Sequence, residues 1–141
     1  MADIKHQIAI AAAPEKVYAA LATAKGLSGW WTADSSADEA VGGKAEFGFD
    51  KRQAVYRMKI EKLAPGREVA WSCHGGPPEW IGTTLTWTLA RDGDGTVLRF
   101  THGGWKSVTD FCAMCNSTWG ELMYRLKAFV EGSNPGPHWR E

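Results

Sequence analysis

Residues 107–131, SVTDFCAMCNSTWGELMYRLKAFVE, carry apolar side chains at Val108, Phe111, Cys112, Cys115, Trp119, Leu122, Met123, Leu126, Phe129 and Val130. Intervals of three and four place them on one stripe and predict a single amphipathic helix. At 1.5 Å per residue it would run about 37 Å, and Gly132 followed by Pro135 ends it. A stripe of that length needs a broad apolar surface to cover, and the preceding residues supply one. Val69, Trp71 and Cys73 recur at every second position, as do Leu85, Trp87 and Leu89 against Thr84, Thr86 and Thr88. After the turn Asp92-Gly93-Asp94-Gly95, Leu98, Phe100 and His102 share one face against Val97, Arg99 and Thr101.

Further back the same two-residue period holds. Ala45, Phe47 and Phe49 share a face, and Tyr56, Met58 and Ile60 oppose Arg57, Lys59 and Glu61 before the turn at Pro65-Gly66. Ile4, His6, Ile8 and Ile10 mark a first strand. Pro14 opens a helix bearing Val17, Tyr18, Leu21 and Ala22, which Gly26 is expected to break. Leu27, Trp30 and Trp31 give a second short helical turn before the polar stretch from Thr32 to Ala40. The reading is an α+β fold in which a curved antiparallel sheet of six to seven strands wraps around the long C-terminal helix, with two short helices after the first strand. One domain over residues 1–132 is expected, with residues 133–141 as a tail; no internal repeat or linker divides it.

Composition narrows the function classes. The 141 residues hold 16 Lys plus Arg and 16 Asp plus Glu, scattered along the chain, so no field favours a polyanion and no nucleic-acid partner is expected. No apolar run approaches the roughly 18 residues of a membrane-spanning helix. The start, Met1-Ala2-Asp3-Ile4-Lys5-His6, lacks the apolar segment of a secretion signal, so a cytoplasmic location is expected. Three cysteines fit a reducing compartment better than a disulfide scaffold. Eight tryptophans are unusual for this length and point to an aromatic core or an aromatic-lined pocket.

Five segments carry a family resemblance. They are Ala13-Pro14-Glu15-Lys16-Val17-Tyr18-Ala19-Ala20-Leu21, Gly29-Trp30-Trp31, Val41-Gly42-Gly43, Thr101-His102-Gly103-Gly104-Trp105, and Trp119 to Lys127 in the helix. In this order they resemble the helix-grip superfamily of START-like and Bet v 1-like domains (SRPBCC), in the branch related to the C-terminal domain of the Hsp90 ATPase activator Aha1. The resemblance implies an internal cavity between sheet and helix. It also introduces Hsp90 as a partner for a co-chaperone or protein-interaction module. The expectation is against that role, because the activator pairs this domain with an N-terminal Hsp90-binding one. The superfamily uses its cavity for several chemistries, so the fold alone assigns none.

The expected function is therefore binding of a small apolar or aromatic molecule. Trp30, Trp31, Phe47, Phe49, Tyr56, Trp71, Trp80, Trp87, Phe100, His102, Trp105 and Trp119 are the candidate ligand contacts, each of them open to the alternative of plain core packing. Trp80, in Gly75-Gly76-Pro77-Pro78-Glu79-Trp80, is placed as a lid or a passive turn. His102 is placed at the cavity mouth as a polar anchor, or else as a histidine bonded to backbone at a strand end. Cys112-Ala113-Met114-Cys115 is a CxxC that, with Cys73 and His102, has the residue types of a zinc site; its position along a helix favours packing, so no metal or cofactor is expected. No nucleophile elbow, phosphate loop or HExxH occurs. An enzyme of polyketide cyclase or aromatase type is the alternative, with His102 and Tyr56 or Glu46 reaching into the cavity.

Overall fold

A computed structural model describes residues 2–141. Its elements run β1 (Ala2–Ile10), α1 (Pro14–Ala22), α2 (Ala24–Trp30), β2 (Asp34–Ala37), β3 (Lys44–Phe49), β4 (Ala54–Ala64), β5 (Glu68–Gly75), β6 (Thr84–Asp92), β7 (Gly95–Trp105) and α3 (Asp110–Val130). The strands form one seven-stranded sheet in the order β1-β7-β6-β5-β4-β3-β2, antiparallel at every pairing. The register is interrupted between Ala2 and Ile4, between Arg57 and Met58 and between Ile60 and Lys62. Such irregularities bend and twist a strand, which lets the sheet curl around α3.

The inward parities hold. Phe47, Trp71, Trp87 and Phe100 are buried on the concave face, with Ile60, Val69, Leu85 and Leu98 beside them. They meet Cys112, Cys115, Trp119, Leu122, Met123, Leu126 and Val130 of α3. Among the described residues no helix is long and apolar enough to cross a membrane.

α3 is shorter than its apolar pattern predicts. Thr109 caps it, its hydroxyl accepting from the Cys112 amide at 3.1 Å, so Val108 lies outside the helix and is 72% exposed. A capping threonine outranks a hydrophobe one residue earlier, because it satisfies an amide that the first turn leaves orphaned. At the other end Gly132 takes φ +95°; its amide donates to the Phe129 carbonyl and that of Ser133 to the Ala128 carbonyl, closing the helix as a Schellman motif. The 21 residues between these caps span about 31 Å.

Two further expectations are corrected. Gly26 does not break α1; Thr23 separates the two helices, its hydroxyl donating to the Ala19 carbonyl and accepting from the Gly26 amide. Gly26 instead permits close packing, since a β-carbon there would lie 2.4 Å from the Ala19 carbonyl oxygen. The polar stretch after Trp31 contains β2, an edge strand whose mixed burial lacks the alternation that would reveal it.

Residues 133–141 lie against the domain. The Ala33 amide donates to the Trp139 carbonyl at 2.8 Å and the Trp139 amide to the Trp31 carbonyl at 3.0 Å, while Arg125 donates to the Pro135 and Gly136 carbonyls. This brings a tryptophan absent from the candidate set to the site.

Candidate functional site

A pocket of about 160 Å³ opens between the first half of α3 and the adjoining edge of the sheet. α3 contributes Phe111, Met114, Cys115, Thr118, Trp119 and Leu122, a face set by helical spacing. Phe49 and Tyr56 come from β3 and β4, Trp31 follows α2, Trp80 descends from the β5–β6 connection, and Trp139 closes one side. The Phe49 ring is edge-on to Trp139 at 5.0 Å and tilted against Tyr56 at 4.7 Å, so these three rings form one continuous wall. Met114, 58% exposed, stands at the rim.

The lining residues include no carboxylate, histidine or basic side chain. The titratable groups on the wall are the Tyr56 hydroxyl, which burial pushes up to about 12, and the Cys115 thiol, which burial also raises. Both are neutral near pH 7. The Thr118 hydroxyl is taken up by the Met114 carbonyl at 3.1 Å.

Behind this wall runs a closed chain of hydrogen bonds. The Trp119 indole nitrogen donates to His102 Nδ1 at 3.2 Å, which makes Nδ1 an acceptor and places the imidazole proton on Nε2. Nε2 then donates to Thr83 Oγ1 at 2.9 Å, and the Thr83 hydroxyl donates to the Trp80 carbonyl at 2.5 Å. The relay joins α3, β7, the start of β6 and the loop bearing Trp80. Burial without a nearby charge pushes the His102 pKa down to about 3.

Five of the twelve candidate contacts meet at the pocket: Trp31, Phe49, Tyr56, Trp80 and Trp119. Trp30, Phe47, Trp71, Trp87 and Phe100 are core, with Trp31 sitting between Phe47 at 4.3 Å and Trp119 at 5.3 Å. His102 is not at a mouth; it is fully buried, with both nitrogens engaged. Trp105 is buried beside a separate surface groove with Ile81 and Lys106. Trp80, on the β5–β6 connection, is buried, with its ring centroid 4.7 Å from that of Tyr56 and 4.5 Å from that of His102. Glu46 does not reach the cavity: it pairs with Arg52 and Arg57 on the outer face.

Phe111, Met114, Cys115, Thr118, Leu122 and Trp139 complete the pocket beyond the candidate contacts. Helical phase from Cys115 and Trp119 would have found Phe111, Thr118 and Leu122. Cys73, Cys112 and Cys115 are free and buried, and burial raises all three thiols. Among the described residues no group of three or more His, Cys, Asp or Glu is placed to hold a metal ion.

A seven-stranded antiparallel sheet curled around one long helix, with a small apolar pocket between them, defines a helix-grip domain. Residues 11–131 match the model of the family described as Activator of Hsp90 ATPase homolog 1-like protein. The chain belongs to that family. It is similar to the Aha1 dimer from Colwellia psychrerythraea, with 39% identity and a TM-score of 0.85 over 94% of this chain and 98% of that one. A protein from Mesorhizobium loti shares 19% identity at a TM-score of 0.81, over 92% of this chain and 97% of that one. CalU16 from Micromonospora echinospora shares 17% identity at 0.75, over 93% and 77%. The last two likenesses concern the fold. No curated protein sequence matches the chain.

Proposed function

We propose that the chain binds a compact apolar molecule, one aromatic ring with a short substituent, in the pocket between α3 and the sheet. The observation that carries this reading is a volume of about 160 Å³ lined largely by aromatic side chains. Dry apolar cavities near 150 Å³ take up benzene, whereas drug-sized ligands occupy roughly 300–1,000 Å³. Size therefore selects against long-chain fatty acids and flavonoids. Binding is favoured over catalysis because both titratable wall groups are held neutral and His102 is already spent in the relay. Titration with single-ring compounds should change tryptophan emission and raise the melting temperature, while a flavonoid at equal concentration should do neither. Equal binding of both, or of neither, would defeat the proposal.

The family's description supports a second reading, docking on Hsp90 through the surface. Exposed Ile81 and Val108 lie on the two connections flanking the groove beside Trp105 and offer apolar contact there. On this reading the chain stimulates Hsp90 ATPase in proportion to its concentration, and Ile81→Ser reduces the effect; absence of stimulation removes it.

A further inference from the structure

Trp80 is 4% exposed, and its indole Nε1 is buried without a hydrogen-bond partner. Buried donors are almost always satisfied, so an orphan on a cavity wall marks a place where an acceptor belongs. The Cys115 sulfur lies close enough to interact with this nitrogen as a weak acceptor but outside hydrogen-bond geometry. Because Trp80 and Cys115 both line the pocket, the N–H lies in its wall, and the nitrogen, covered in the unliganded chain, must be uncovered by a shift of the wall for a bound acceptor to reach it. The nitrogens of Trp87 and Trp105 are also unpartnered, but Trp87 borders neither this pocket nor the groove, and Trp105 belongs to the groove. Across from Trp80, with ring centroids 4.7 Å apart, Tyr56 offers a second donor, its phenol hydroxyl.

Resting on the function proposed above, we infer that the pocket selects neutral single-ring molecules carrying a carbonyl or equivalent acceptor, which receives the Trp80 N–H while the ring lies among Trp31, Phe49 and Trp119. The donors are uncharged and no cation stands nearby to compensate a buried anion, so a carboxylate would be penalised where a ketone or aldehyde is not. An apolar ligand fills the same volume but leaves the donor as it found it. Selectivity thus comes from one hydrogen bond in a largely apolar site, where a site built to donate discriminates strongly against ligands lacking the acceptor.

The test compares acetophenone, its planar isostere α-methylstyrene, and benzoate by ligand-observed NMR titration against the intact chain and its Trp80→Phe variant. Trp80→Phe keeps an aromatic plug but removes the donor. The expected result is that this substitution weakens acetophenone roughly threefold to tenfold relative to α-methylstyrene, the range of one net hydrogen bond. Benzoate should bind the intact chain more weakly than acetophenone. If the two neutral compounds bind but respond alike to Trp80→Phe, or if benzoate binds best, the acceptor rule is overturned and the proposed function stands. If none binds the intact chain, both fall. Should Trp80→Phe not fold, the indole N–H of Trp80 is followed directly by NMR in the intact chain: acetophenone should shift it more than α-methylstyrene does, and equal shifts overturn the rule.

Discussion

Trp119→Ala should destabilise the protein by roughly 3–5 kcal/mol, the usual range for deleting a buried large aromatic, and its value should sit at the upper end. Trp119 packs against Trp31, Trp80, Trp87 and Phe100 at centroid distances of 4.5–6.3 Å, so truncation removes a shared neighbour from four rings. It also leaves His102 Nδ1 buried with no donor, a separate cost of about 1–3 kcal/mol that overlaps with the first. Trp119→Phe divides the two effects: most of the packing stays, the N–H goes, and a loss of about 1–2 kcal/mol is expected. Urea unfolding of both variants reads the difference. A Phe variant as stable as the parent would mean that the hydrogen bond to His102 contributes nothing.

Acidification from pH 6.5 to pH 4.5 should lower stability by about 2–3 kcal/mol through His102 alone. In the unfolded chain an imidazole takes up its proton near pH 6.5; in the folded protein His102 resists until about pH 3. Between those values the unfolded state binds one more proton than the native state, so stability is complete above pH 6.5 and falls by about 1.4 kcal/mol for each unit of acid below it. The structural reason is specific. A proton on Nδ1 would confront the Trp119 N–H with a second donor and leave a cation among Trp80, Trp105 and Trp119. His102→Gln, which does not titrate, should have a lower but flatter profile across this window. Urea midpoints at half-unit steps check it, and a parent curve as flat as the variant's would show that His102 titrates normally.

The fold was legible because its strands bury one face each. Leu85, Trp87 and Leu89 against three threonines leave no second choice of register, and a one-residue slip would expose two leucines and a tryptophan. β2 was not legible, since Asp34-Ser35-Ser36-Ala37 buries no apolar face and is recruited by its pairing with β3. Within the site, parity could say that a ring points inward but not whether it meets another ring or a void. Trp31 and Trp71 have near-parallel planes with ring centroids 6.3 Å apart, yet one borders the pocket and the other does not. Trp139 had no signal of its own: it stands among Gly, Pro and charged residues with no period, and backbone bonds to Ala33 and Trp31 place it. His102 followed the inward parity correctly, but its two partners, Thr83 and Trp119, lie 19 and 17 residues away and meet it only in the fold.

The aromatic interior also has an optical consequence. Trp31 lies 5.9 Å from Trp30, 6.3 Å from Trp71 and 5.3 Å from Trp119; Trp119 lies 6.0 Å from Trp80, and Trp71 lies 4.7 Å from Trp87. At such separations excited indoles pass energy to one another faster than they emit, and their fixed mutual tilts couple the transition dipoles into a strong near-ultraviolet dichroism. Seven of the eight tryptophans, Trp105 included at 6.4 Å from Trp80, thereby behave as one chromophore with its lowest-energy member as the emitter. A quenching contact made at Trp80 or Trp31 by a molecule in the pocket darkens the whole set, so the protein carries its own amplified, label-free reporter of occupancy.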